Sequence, residues 1–208
     1  NLTNADLSGA DLTGVDLSGA VLIGIATGGL TGCPAKLPPS WVCQKGYLLG
    51  PGANLKGANL KGEDLTQIDL SNSNLVDANL ESVILTDANL NEADLSTTQL
   101  AGVISGNLQG CPAKLPTGWV CSVGYLVGPG ANLVGANLTN ASVTGADLTG
   151  VDLATATLNG VASGELKGCP AKLPPDWGCS VGYLVGPNAN LTDANLASAD
   201  LTGIDLSN

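Results

Sequence analysis

With 208 residues and a formal net charge of −11, from 18 acids against seven lysines, the chain is long enough for a core but poorly equipped to grip phosphate. It has no Phe, Met, His or Arg and only three Trp and three Tyr, which excludes Ser/His/Asp and Cys/His nucleophilic arrangements and any arginine clamp on a phosphate. No run of about 18 apolar residues occurs, so no transmembrane helix is expected.

In chain order, the first element is a leucine at every fifth residue: Leu2, Leu7, Leu12, Leu17 and Leu22. Two residues before most leucines stands a small or β-branched residue, such as Ala5, Ala10, Val15 or Ala20, and between them an Asp or Asn. The chain opens directly in this register at Asn1 and Leu2, so any targeting segment is expected to have been removed or left out. An insert covers about 32–52, and the period then runs through ten leucines from Leu55 to Leu100. A second insert covers about 110–130. Leu133, Leu138, Leu148, Leu153 and Leu158 follow, with Val143 filling the gap. A third insert covers about 168–188, and Leu191, Leu196, Leu201 and Leu206 complete the pattern. A period of five matches neither a helix nor a strand, so it belongs to a larger repeating unit, a solenoid.

The units Ala5-Asp6-Leu7-Ser8-Gly9, Ala58-Asn59-Leu60-Lys61-Gly62 and Ala146-Asp147-Leu148-Thr149-Gly150 follow A-(D/N)-L-x-x, a pattern that resembles the pentapeptide-repeat family over most of the chain. The resemblance implies an all-β fold, a right-handed quadrilateral parallel β-helix spanning 1–208 as a single solenoid, interrupted by the three inserts. Four pentapeptides make one coil of 20 residues, with the leucine and the small residue pointing inward. About 30 units then give about seven to eight coils, a rod on the order of 35 Å long at ~4.8 Å per coil. A unit that buries only two of five side chains needs stacked neighbours for stability, which supports the same picture independently. Leu55, Leu75 and Leu95 are expected in one column, Leu60, Leu80 and Leu100 in the next.

The three inserts are nearly one sequence: GCPAKLPPSWVCQKGYLLGPGANL from 32, GCPAKLPTGWVCSVGYLVGPGANL from 110 and GCPAKLPPDWGCSVGYLVGPNANL from 168. Their prolines forbid regular sheet or helix in the first half, so each is read as a loop leading into a short strand that rejoins the coil. Twelve and eight pentapeptides between them, both multiples of four, favour emergence from one shared edge. That edge would align Trp41, Tyr47, Trp119, Tyr125, Trp177 and Tyr183 as a candidate recognition edge. If Leu48, Leu126 and Leu184 also point inward, each insert advances the register instead.

Each insert carries two cysteines ten apart, Cys33/Cys43, Cys111/Cys121 and Cys169/Cys179. Local disulfides, a metal site and reduced thiols are the three readings. Six cysteines in identical pairs favour disulfides, and two ligands per module without any His disfavour zinc. Each short disulfide loop is worth ~2–3 kcal/mol. Disulfides point to an extracytoplasmic address: secreted, periplasmic or the thylakoid lumen. No metal or other cofactor is expected, and no enzymatic activity.

One residue breaks its own repeat. Glu63 occupies an inward small position, where a charged carboxylate is costly unless paired. A local bulge turning it toward Lys56 or Lys61 is the expectation; the alternative is a site lined by the first insert. Ser73 and Thr98, also inward, can bond nearby backbone.

Two functions compete. The first is a non-catalytic extracytoplasmic scaffold or a solenoid that binds a protein or other ligand. The second is suggested by the resemblance, since some family members are acidic DNA mimics that protect gyrase; eight acids lie from Glu63 to Asp94. Against it stand the paired cysteines, the absence of Phe and the spread of the charge. Direct nucleic-acid binding is not expected. A homodimer through the terminal coils around Leu196 to Leu206, or membership of a longer chain, is expected from uncapped coils. A flat threonine face for ice or glycans is not supported: Thr66 and Thr86 stack, but Ser71 meets Asn91.

Overall fold

The leucine period becomes a ladder. In the computed structural model, which describes residues 1–207, Asn54 pairs in parallel with Asn74 and Asn74 with Asp94, while Asn59 pairs with Asn79 and Asn79 with Gln99. Each step is 20 residues. Two main-chain bonds make the rung: Leu55 N–H donates to the Asn74 carbonyl and Asn74 N–H to the Ala53 carbonyl. The chain is all-β, with no helix among the described residues.

Local chemistry sets the five-residue step. Leucine opens a turn that closes when the next small residue donates back to it, as Ala58 N–H does to the Leu55 carbonyl. The second central residue of that turn is left-handed, with φ +68° at Gly57 and +57° at Asn72, the conformation that Gly and Asn accept most readily. The Asp or Asn that stands before most of the leucines staples the turn, its Oδ1 accepting the N–H two residues on, as Asp64 does from Thr66 at 2.9 Å. This is why that position is Asp or Asn. The leucine and the small residue are left inside: Leu55, Leu60, Leu75, Leu80 and Leu95 are buried, with Ala53, Ala58 and Ala78.

The residues group into two compact units. One comprises Asn1–Leu100 with Leu108–Pro116, the other Ala101–Asn107 with the chain from Thr117 onward. Within the first, Leu12, Leu17, Leu22, Ile25 and Leu48 form one buried cluster. Within the second, the buried leucines from Leu133 to Leu158 pack with Val127, Leu184 and their small partners.

The only strands longer than a single bridge among the described residues lie in the inserts. β1 (Val42–Gln44) pairs antiparallel with β2 (Tyr47–Leu49), β3 (Val120–Ser122) with β4 (Tyr125–Val127), and β5 (Gly178–Ser180) with β6 (Tyr183–Val185). Each insert is thus a hairpin rather than a loop ending in one strand. The cause is its two-residue turn, with both residues at positive φ: Lys45-Gly46, Val123-Gly124 and Val181-Gly182. That geometry matches the twist of a tight hairpin.

Successive inserts do not share an edge, which corrects the expectation from spacing. The turn that carries an insert is 28 residues long, from Ala26 to Asn54, from Ile104 to Asn132 and from Ala162 to Asn190. In the first unit Asp6, Ala26, Asn54, Asn74, Asp94 and Lys114 form one ladder, whereas Lys36 stands on the ladder of Asp16. The equivalent lysines of the first two inserts are therefore ten residues, half a period, out of step. In the second unit the ladders of Ile104–Asn132 and of Ser142–Ala162–Asn190 are also ten residues apart. The physical reason is that Leu48, Leu126 and Leu184 are buried, so each hairpin supplies an inward residue and completes a side of its own.

Candidate functional site

The three hairpin modules are the candidate site, and each is built by the same substitutions. Cys33 is bonded to Cys43 with Cα atoms 5.9 Å apart, and Cys169 to Cys179 at 5.8 Å. Cys111 and Cys121 are likewise disulfide-bonded, and no cysteine is free. In the first and third modules the bond ties the start of the insert to the first hairpin strand.

The tryptophans lie flat on glycine. A Cβ on Gly50 would come within 2.2 Å of Trp41, one on Gly128 within 2.2 Å of Trp119, and one on Gly186 within 2.3 Å of Trp177. None of these glycines has a positive φ, so they are required for close approach alone. The tyrosine rings rest more loosely on Gly28, Gly106 and Gly164, 3.2, 3.4 and 3.3 Å from where a Cβ would stand. All six aromatic residues are half-buried.

The tyrosine hydroxyls repair the ladder. Tyr47 Oη accepts the N–H of Asn59 at 3.1 Å, Tyr125 Oη that of Asn137 at 3.2 Å, and Tyr183 Oη that of Asn195 at 3.4 Å. A second repair lies inside, where a leucine would otherwise stand. Thr27, Ser105 and Ser163 are buried, and each hydroxyl oxygen accepts the N–H of Leu48, Leu126 or Leu184 at 2.9 Å. Reasoning from sequence missed these residues. The signal is present: Thr27-Gly28, Ser105-Gly106 and Ser163-Gly164 each begin six residues before a first cysteine.

A third repair uses the last residue of the first hairpin strand. Ser122 Oγ accepts the N–H of Ser142 at 2.9 Å and Ser180 Oγ that of Asp200 at 3.1 Å. In the first module Gln44 stands there, and its Nε2 donates to the Asp64 carbonyl at 3.2 Å and to Glu63 Oε2 at 2.8 Å. This accounts for Glu63. The residue keeps repeat register, its N–H donating to Leu60 and its carbonyl accepting from Ile84, so there is no bulge. Its partners are Gln44 and Lys45, the latter at 3.3 Å, rather than Lys56 or Lys61. Lys61 pairs with Glu81 instead. The Gln44 amide, and then the Lys45 ammonium, hold the Glu63 carboxyl below the usual range despite its partial burial. Where the hairpin offers serine, the corresponding inward residues are Ala141 and Ala199.

Each module also sends one lysine back a turn: Lys36 to Asp16 at 2.9 Å, Lys114 to Asp94 at 2.6 Å and Lys172 to Asp152 at 2.7 Å. Lys114 and the Ser96 hydroxyl hold Asp94 at about 2, and Ser18 with Lys36 do the same for Asp16. Ser73 Oγ donates to the Leu70 carbonyl and Thr98 Oγ1 to that of Leu75. The exposed apolar residues on the hairpins are Val123 and Val181 at the tips, each 48 % exposed, and Val42 on β1. Among the described residues no group of three or more acids or cysteines is placed to hold a metal ion, and no helix is long and apolar enough to cross a membrane.

A family model described as pentapeptide repeats matches eight copies, over residues 1–24, 52–87, 64–102, 129–161 and 187–208. The unmatched intervals are those that carry the hairpins. No curated protein matches the sequence. One similar solved structure is the crystal structure of HetL, a pentapeptide repeat protein involved in heterocyst differentiation regulation, from the cyanobacterium Nostoc sp. strain PCC 7120. It is 26 % identical, with 53 % of this chain and 51 % of that chain covered and a TM-score of 0.15. This chain thus spans about half the length of that relative.

Proposed function

This chain belongs to the pentapeptide-repeat family, and on that premise we propose that it is a non-catalytic extracytoplasmic scaffold or binding solenoid. In this reading it is a right-handed quadrilateral parallel β-helix of about seven to eight coils, with disulfide-closed hairpins as rigid points of contact. The observation that carries the reading is the state of the cysteines. All six are oxidised, and disulfides persist where glutathione does not reduce them. The aromatic residues then serve to seat the hairpins, and partner contact falls to the exposed tips and their flanks. The reading extends to self-association around Leu196 to Leu206, where the inward leucines are only half-buried and Leu206 is 48 % exposed.

The test is an intact mass on thiol-trapped protein from its native source, before and after reduction. A gain of six hydrogens, one for each cysteine, is expected. Six alkylated thiols before reduction would overturn the extracytoplasmic address and make a gyrase-inhibition assay of the acidic-mimic reading the next experiment.

A further inference from the structure

We propose that a notch in the first unit, lined by Asn4, Asn54, Asn72 and Asn74 with Ile23, binds a neutral polyhydroxylated ligand, a pyranose unit of a sugar. This is a different surface from the hairpins. The notch encloses about 310 Å³, the lower end of the range for small-ligand sites. Gly24 and Gly52 line it, and the Asn4 carboxamide folds over Gly24, its Oδ1 2.0 Å from where a Cβ would stand.

The lining chemistry selects the ligand. Asn54 and Asn74 are register partners, so their carboxamides stand side by side one rung apart, ~4.8 Å. That is close to the separation of 1,3-related hydroxyls on a pyranose. Each spends its Oδ1 on its own turn, accepting from Lys56 and Val76, which leaves both NH₂ groups as donors. The carboxamides of Asn4 and Asn72 line the notch without a bond to another described side chain. A carboxamide donates and accepts, as a sugar hydroxyl does. Ile23, 60 % exposed, is the apolar side of the notch, and Pro51 continues it into an adjoining hollow lined also by Ile23, Gly52 and Asn72, an apolar surface suited to the C–H face of the ring. No ionisable side chain lines the notch in a chain with 18 acids, which favours an uncharged ligand. The site is discrete and owes nothing to rows of threonine.

The experiment is a two-dimensional NMR titration of the intact, disulfide-bonded, ¹⁵N-labelled protein with glucose, N-acetylglucosamine and the β-1,4-linked dimer of each. Saturable shifts are expected at the side-chain NH₂ of Asn54 and Asn74 and at the amides of Gly24 and Gly52, with a dissociation constant on the order of 1 mM for the best probe. Asn72→Gly, which keeps the positive φ of that residue, and Ile23→Ser should each weaken it by roughly threefold or more, about 0.6 kcal/mol. Val134→Ser, at an exposed valine elsewhere, should leave it unchanged; all three spectra must retain native dispersion. No saturable shift with any of the four sugars, or the same affinity in Asn72→Gly and Ile23→Ser, would overturn the proposal.

Discussion

The hydroxyl of Tyr125 accepts the main-chain N–H of Asn137, 12 residues further on, at 3.2 Å. A side chain here does the work of a carbonyl that the inserted turn fails to supply. Tyr125→Phe leaves the ring on Gly106 and removes only the acceptor. We expect a loss of ~1 kcal/mol, with faster hydrogen exchange at the Asn137 amide. Unchanged exchange there would mean that water replaces the hydroxyl at no cost.

Trp119 and Gly128 form a matched pair, because the indole fills the space where a Cβ would stand. Gly128→Ala should destabilise by ~1–3 kcal/mol through overpacking. In a double-mutant cycle with Trp119→Ala the two losses should fall short of additivity by at least ~0.5 kcal/mol, as read from chemical denaturation.

Val123 sits at the hairpin tip with φ +43°, a conformation that a β-branched side chain adopts only under strain. Its side chain is half exposed and contributes little packing. Val123→Asn is expected to stabilise by ~1 kcal/mol. A thermal melt that moves downward would show that the valine makes contacts worth more than its strain.

Gln44 and Glu63 replace the serine and alanine found at the corresponding positions of the other two modules. Gln44→Ser alone strips Glu63 of its nearest donor, and Glu63→Ala alone leaves Lys45 without its carboxylate. Each should cost ~1 kcal/mol, while the double variant, which copies Ser122 and Ala141, should recover at least ~0.5 kcal/mol of the sum. Strictly additive losses would refute this matching.

Asp94, paired with Lys114, has its carboxyl lowered to about 2 from an ordinary value of 3.8. A depressed carboxyl stabilises the fold above its unfolded value and loses that contribution as pH falls through the folded one. Melting temperature should therefore fall as pH drops from about 4 toward 2. Asp94→Asn should flatten that segment while leaving the neutral-pH slope alone, as checked by melts across the range.

The repeat was legible because its rule is local: one leucine, one small residue and one Asx staple per turn, repeated often enough that chance is no rival. The cysteine pairs were legible for the same reason. The direction in which each hairpin leaves was not, because it depends on whether Leu48 is inside, an alternative that the five-residue count raises but cannot decide. Glu63 announced itself as an anomaly, yet its partner lies 19 residues back, on a strand that exists only once the Lys45-Gly46 turn has formed. Tyr47 and Trp41 read as surface aromatics since nothing nearby in sequence reveals the glycines beneath them.

The 28-residue turn has a consequence for how such a chain can change. Because Ala26 and Asn54 still meet as rung partners, the eight additional residues are absorbed where they arise, and every side chain downstream keeps its facing. Removing that length restores a plain 20-residue turn and is silent to the rest of the ladder, whereas the loss of one or two residues in a plain turn would scramble inside and outside for everything that follows. A hairpin of this size can therefore come or go without the fold having to be reinvented.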